Sequence, residues 1–375
     1  MKSFMTFKSG NFYFSEKYDS LQINDLLIRA TVLNETIVDL PILPELSSRL
    51  EPEIMYSSIS GTAAIEGNPI TKEDVKKIAE GQDIEGYTKK DKQEIINLIK
   101  AYSLLSDIDS TKNPYILTEE LVCELHKIIT DQVPGGHNIP GQYRNGIVYV
   151  GDKAHGGIYT PPKILKDIKN LMKEFILWIN SDEIINIDPF IRASIAHYHF
   201  CTIHPFWDGN GRTARLLEAI ILQAANIKYM PKELSNFYYK NVDDYYIAFS
   251  KTIKLKKDIT PFVDYYLNAA VTSLTKIKKS IVFFIRIFTL RNYYTSQNQQ
   301  KNISKRQFDL VLLLLDYPAT FTFNIKELSS TPPFSFLYDR VSTQTARRDL
   351  AKLSNMGLII LNDKGKYYLN LCVLG

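Results

Sequence analysis

The chain has 375 residues, 45% hydrophobic and 23% charged, with a formal net charge of +4, an ordinary balance for a globular protein of two or three domains. So small a positive excess identifies no partner, and three scattered cysteines, Cys123, Cys201 and Cys372, argue against a disulfide framework or a zinc module. No apolar run approaches membrane-spanning length and the first twenty residues lack a signal-type apolar core, so the expectation is a cytoplasmic protein with no membrane partner.

Residues 1–112 read as mostly helical. Within them Thr62-Ala63-Ala64-Ile65-Glu66-Gly67 combines an apolar run suited to a buried helix with a stop at Gly67, reinforced by Asn68-Pro69. Glu66 then falls in the last turn, where the helix dipole disfavours a carboxylate and a cationic partner is wanted. Thr71 to Asp74 is a capping signal, and a long helix of charged and apolar residues is expected from about Lys89 to Leu105.

Further along, GQYRNGIVYVGDKAHGGIYTPP, Gly141 to Pro162, alternates Ile147 and Tyr149 with Val148 and Val150, turns at Gly151-Asp152, and can return through Ile158-Tyr159. That pattern predicts a β-hairpin in an otherwise helical stretch. His197, His199 and His204 crowd around Cys201, but residues two apart point to different faces of a helix and the spacing is not that of zinc ligands. These side chains are read as structural apart from His204.

His204 opens the string HPFWDGNGRTAR. Pro205 biases His204 away from helix, and Gly209 and Gly211 free the backbone on either side of Asn210 for tight-turn geometry. A helix starting there directs its unpaired N–H groups at any anion in front of it. Arg212 and Arg215, three apart, share one face of that helix. Asp208 supplies a hard oxygen of the kind Mg²⁺ uses when it bridges phosphates, and the imidazole of His204 is the group of the string whose ordinary pKa lies near neutrality.

These residues resemble the Fic family motif HxFx(D/E)GNGRxxR: His204, Phe206, Asp208, Gly209, Asn210, Gly211, Arg212 and Arg215 fill every specified position. The resemblance implies an all-helical Fic core with a β-hairpin flap, and transfer of AMP from ATP to a hydroxyl of a protein target, with pyrophosphate leaving. It implies His204 as general base, Phe206 as its packing support and Asp208 on Mg²⁺. Nucleotide contacts are then expected from Gly209, Asn210, Gly211, Arg212, Thr213, Ala214 and Arg215, and from the flap residues Val148, Tyr149, Val150 and Gly151. No GxxxxGK(S/T) string competes with this reading.

The same resemblance recasts the segment from Thr62 through Glu66 to Gly67 as the inhibitory motif (S/T)xxxE(G/N) of self-restraining relatives, with Arg215 as the partner of Glu66. It makes the hairpin a flap that pairs with an extended target segment through main-chain hydrogen bonds. Tyr245 and Tyr246, on a predicted helix after Leu234, are implied as the adenine wall. An asparagine found in some relatives a turn or two later is replaced here by Thr252 and Ile253.

From Val271 to Phe308 the chain has eight Lys or Arg and no Asp or Glu, and within that stretch Tyr294 to Lys305 reads as a polar linker. After it, an apolar helix, a Pro-containing connection, the segment VSTQTARRDLAKLSNMGLI and an alternating strand pair resemble a winged helix-turn-helix domain. Ser342 would cap the recognition helix, and Thr343, Gln344, Arg347 and Arg348 would face DNA; dimerisation or protein binding are the other uses of such a module.

The expected organisation is therefore mainly α. It comprises an N-terminal helical region (1–112), a Fic catalytic core (113–265), a basic helical connector (266–302) and a winged helix-like domain (303–375). The leading expectation is a self-inhibited protein adenylyltransferase using ATP and Mg²⁺, with automodification and a homodimer among its associations. The alternatives are removal of AMP or transfer of another nucleotide at the same site, and a DNA-binding regulator with a Fic sensor core.

Overall fold

The computed structural model describes residues 1–42 and 44–374, which form two compact units, Met1–Lys278 and Lys279–Gly375. The architecture is mainly helical. Among the described residues no helix is long and apolar enough to cross a membrane.

The first unit opens with an antiparallel pair, β1 (Lys2–Met5) and β2 (Asn11–Phe14), Ser3 lying opposite Tyr13. Phe14 is buried against Trp178 and His199. Helix α1 (Ser20–Asp39) is capped by the carboxylate of Asp19, which accepts from the amides of Leu21 and Gln22. Helix α2 (Pro44–Ile65) ends in a double reverse bond: Gly67 N–H to Ala64 O and Asn68 N–H to Ala63 O, both 3.0 Å, with Gly67 at φ +85°. This is the stop expected at Gly67, and it leaves Glu66 as the cap residue just beyond the last helical turn.

Thr71 caps α3 (Lys72–Ala79), and Thr88 with Asp91 forms a capping box on α4 (Lys89–Ser103). Then come α5 (Glu119–Thr130), α6 (Leu165–Ile179), the short α7 (Asp182–Ile185), α8 (Pro189–Ile203) and α9 (Asn210–Ala224). Nearly every residue of α8 and α9 is buried, charged side chains such as Arg192, Arg212, Arg215 and Glu218 included, and these two form the centre of the unit. Helices α10 (Leu234–Lys240), α11 (Val242–Leu255) and the first half of α12 (Thr260–Gln299) complete it. Gly61 seats α2 directly on α10: a β-carbon there would lie 2.8 Å from the Cα of Asn236.

The hairpin expected across 147–159 is reduced to a single antiparallel bridge, Val150 to Tyr159, with N···O distances of 2.9 and 2.8 Å. Gly151, Gly156 and Gly157 all take positive φ, and Gly157 N–H donates to Asp152 O at 2.8 Å. The glycines therefore coil the segment instead of extending it.

In the second unit the core gathers Leu290 and Tyr294 of α12, Leu310 and Leu314 of α13 (Lys305–Leu315), and Leu350 and Leu353. After α13 come α14 (Ile325–Ser330), α15 (Ser335–Tyr338), α16 (Thr343–Asn355) and an antiparallel pair, β3 (Ile359–Leu361) with β4 (Tyr367–Leu369). Phe323 adds a bridge to Tyr367 at the edge of that pair. The stretch expected as a linker, Tyr294 to Lys305, is instead helical through Gln299, and Tyr294 is fully buried. Burial of Leu290 and Tyr294 draws the expected connector from Lys279 onward into this unit, while 266–278 belongs to the first, so the division falls at Lys278/Lys279 and not at 303.

Candidate active site

Helix α8 stops at His204, which adopts a left-handed conformation (φ 52°, ψ 59°) while its N–H still bonds to Phe200 O. Its Nδ1 lies 3.3 Å from the carbonyl of Cys201. A carbonyl only accepts, so Nδ1 carries the proton and the lone pair resides on Nε2. Burial, aided by the Arg144 guanidinium, pushes the imidazole pKa down to about 4. His204 is neutral at physiological pH.

The turn after His204 is clamped from within. Asn210 accepts from Phe206 N–H and donates to Phe206 O, each at 2.9 Å. Phe206 is fully buried and lies face to face with His126 at 3.6 Å between centroids. Gly141 N–H donates to Nδ1 of His126, which leaves Nε2–H to donate to Asp208 O at 3.0 Å. Arg144, buried, donates through Nε to His204 O at 2.7 Å and through Nη1 to Gly146 O. These partners fix the shape of the loop before any ligand arrives.

Gly209 takes φ +77°, and the first intrahelical bond of α9 is Thr213 N–H to Gly209 O at 2.9 Å. The amides of Asn210, Gly211 and Arg212 precede it and form the anion-facing end of the helix. Gly211 itself is helical. Its lack of a side chain serves another end, because a β-carbon there would sit 2.7 Å from Oε1 of Glu66.

Both arginines of the motif are buried and already paired. Arg215 donates from Nη2 to Glu66 Oε1 at 2.7 Å and from Nε to Thr62 Oγ1 at 2.6 Å. Burial opposes its charge, but Glu66, Tyr245 and Tyr102 together outweigh this and the guanidinium pKa is raised. Arg212 donates to Asp208 Oδ1 at 2.9 Å and to Glu94 Oε1 at 3.3 Å, while its buried Nε has no partner among the described residues. Glu94 is in turn held by the amide of Asn68 at 2.9 Å. The turn that positions Glu66 at Arg215 is thus linked through Asn68 and Glu94 to Arg212.

Asp208 is half exposed. Burial of its carboxyl is outweighed by Arg212 and by Gly209 N–H, which donates to Oδ1 at 2.6 Å, and the pKa is lowered. The carboxylate is therefore ionised, and Oδ2 makes no hydrogen bond among the described residues. One free hard oxygen beside an anion-facing helix end fits Mg²⁺ carried in with phosphates.

In front of His204 and Arg215 opens a cavity of about 490 Å³ whose lining includes Glu66, Tyr149, Val150, Gly151, Gly211, Tyr245 and Tyr246. A separate hollow of about 570 Å³, lined by Asp19, Lys251 and Asp264 among others, contains no residue of the motif. Val148, Asp208, Gly209, Asn210 and Arg212 do not line the first cavity. Thr213 and Ala214 are fully buried, the Thr213 hydroxyl bonding Gly209 O, so their side chains pack and do not face a ligand. The carboxamide of Asn210 is likewise committed to Phe206, which leaves only its backbone amide for an anion.

Of the two tyrosines, Tyr245 is buried, with its hydroxyl 2.7 Å from His197 Nε2 and its ring stacked on Tyr238. Tyr246 is half-buried, 5.4 Å from the ring of His155. His155 sits between Asp152 and Asp243 at 2.8 and 3.0 Å, and Gly156 lies close against Ser250. The segment 151–157 is therefore docked on α11, with Ser250 and Lys254 also lining the cavity. Glu94, His126, Arg144 and His155 lie outside the twelve-residue string, and their roles depend on contacts between distant segments that have no periodic signature in sequence.

The model of the Fic/DOC family matches residues 116–222, a span that runs from just before α5 to the end of α9. Residues 116–222 thus form a Fic/DOC family domain. Curated relatives of this chain include protein adenylyltransferase fic-1 of Caenorhabditis elegans, 28% identical over 234 residues (61% of this chain, 42% of that protein). Protein adenylyltransferase Fic of Drosophila yakuba is 29% identical over 276 residues (69% and 50%), and that of Aedes aegypti is 30% identical over 230 residues (60% and 42%). The chain spans about half the length of these relatives or less. Among solved structures, a Fic family protein from Desulfovibrio desulfuricans G20 aligns over 96% of this chain and 98% of its own, with TM-score 0.60 and 21% identity. Fic-1 (aa134–508) from C. elegans aligns over 70% and 73%, with TM-score 0.55 and 23% identity. These two likenesses are of fold.

Proposed function

We propose that this Fic chain is a self-restrained protein adenylyltransferase that transfers AMP from ATP to a Ser, Thr or Tyr hydroxyl. The observation that carries the reading is the 2.7 Å pair between Glu66 and Arg215, placed at the same helix end as the free Nε2 of His204. Nε2 takes the proton of the attacking hydroxyl as its oxygen bonds to the α-phosphorus, and the bond from that phosphorus to the pyrophosphate oxygen breaks. Pyrophosphate leaves and the proton stays on His204 until solvent removes it. A polyphosphate in the cavity is negative and draws the imidazole pKa upward from its resting value, toward the range where a base is effective. Mg²⁺ held at Asp208 supplies charge neutralisation of the phosphates.

Self-restraint follows from charge and space. Glu66, Glu94 and Asp208 already neutralise the guanidiniums of Arg212 and Arg215, so neither cation is uncompensated when a substrate that is itself an anion arrives. Withdrawal of Glu66 frees Arg215 and the space over Gly211 together. The exposed side chains of Ile147 and Tyr149 border the edge along which an extended target segment can pair. Automodification and a homodimer belong to the same reading. Incubation with each of the four α-labelled nucleoside triphosphates tests it: label from ATP enters protein with wild type and not with His204→Ala. Transfer from another nucleotide in preference to ATP would reassign the substrate.

A further inference from the structure

The net positive charge of this protein resides in one of its two units. Residues 279–375 hold 13 Lys and Arg against 6 Asp and Glu, a net +7, whereas residues 1–278 hold 32 against 35, a net −3. A unit of fewer than a hundred residues with that excess has the electrostatic footprint of a polyanion binder. We infer that the second unit is a winged-helix module that binds double-stranded DNA through the outer face of α16 and the β3–β4 turn.

The order of elements fits that architecture. Helix α13 is followed by the Phe323 bridge to Tyr367, the short helices α14 and α15, helix α16, and the β3–β4 pair. Ser342 caps α16 by accepting from Thr345 N–H at 3.2 Å. The inner side of α16 buries Ala346, Leu350 and Leu353 in the core of the unit. The outer side exposes Thr343, Gln344, Arg347, Arg348 and Lys352. At about 1.5 Å per residue these 13 residues span about 20 Å, and an α-helix fits the major groove.

Charge on that helix is sorted by face. Its one acid, Asp349, is buried and takes Arg306 Nε at 2.7 Å and Gln307 Nε2 at 2.8 Å, so it adds no negative field to the outer side. Across the β3–β4 turn, Lys364 is exposed and Lys366 half-exposed, with Asp363 beside them. In this arrangement Arg347, Arg348 and the turn lysines meet phosphates, and Thr343 and Gln344 reach base edges.

The test is fluorescence anisotropy of a short labelled DNA duplex with the full chain over a range of salt. The expected result is binding whose log K falls linearly with log salt. Arg347→Ala/Arg348→Ala weakens it at least about tenfold and lowers the slope by about 1.8, the amount for two lost phosphate contacts. Arg347→Lys/Arg348→Lys, which keeps the charges and guards against a folding defect, retains most of the binding. The inference is overturned by no binding at low salt, by equal binding of the alanine variant, or by polyglutamate of matched charge competing as well as unlabelled duplex. The last result would assign the face to an acidic protein.

Discussion

At position 211 a β-carbon would lie 2.7 Å from Oε1 of Glu66 and 3.1 Å from Nη1 of Arg215, so this glycine keeps a seat open for a side chain about 150 positions earlier in sequence. Read alone, the two glycines of the string suggest backbone freedom at both, but only Gly209 takes a left-handed conformation. The residue types of the site were legible because His, Asp, Asn and two Arg at fixed spacing have few structural explanations. Their partners were not, since His126, Arg144 and Glu94 act through contacts 60 to 118 residues distant. His204 carries the sharpest expectation at this scale. His204→Ala lowers transfer about 10²–10⁴-fold, while ATP affinity by calorimetry stays near wild type, because Nε2 acts on the hydroxyl and not on the nucleotide. Sustained turnover by the variant would remove His204 from the role of base.

Among elements, the stop at Gly67 was readable from an apolar run meeting Gly-Asn-Pro, whereas Glu66, expected in the last turn, is the cap residue just beyond it. The flap was less so, because alternation over 147–150 signals a strand whereas Gly151, Gly156 and Gly157 coil the return. The coupling of α2 to α4 and α9 has no sequence signal. Asn68, one residue past Gly67, holds Glu94, and Glu94 holds Arg212. Asn68→Ala removes a buried amide donor from a carboxylate, which costs about 1–3 kcal/mol, and slackens the turn that carries Glu66. Denaturant unfolding is expected to register that loss together with a rise in basal transfer; unchanged stability would mean the Asn68 contact is not a tether.

For the whole molecule, capping and periodicity pointed to helices over residues 1–112 and the Fic resemblance implied the helical core, but the unit boundary was not legible, since a polar stretch such as 294–299 can be helical when Tyr294 finds a core. Stability should depend on acid. Burial, opposed by Ser15 and Glu16, pushes the pKa of His199 down to about 4, so between about pH 6.5 and 4 the unfolded chain binds a proton that the folded one does not. Stability is intact above that window and falls as pH drops through it, by about 3 kcal/mol from this group; a Tm constant from pH 7 to 4.5 would contradict the burial argument. On the proposed function, Glu66 competes with ATP for Arg215. The most direct measurement compares wild type with Glu66→Gly by ATP titration and label transfer. A charge-assisted contact contributes about 1.5–3 kcal/mol, so the variant should gain about 10- to 100-fold in affinity and transfer while losing thermal stability without nucleotide, its Arg215 left buried beside Thr62 alone. A folded Glu66→Gly protein with wild-type affinity and transfer no higher than wild type would mean that Glu66 does not restrain the site.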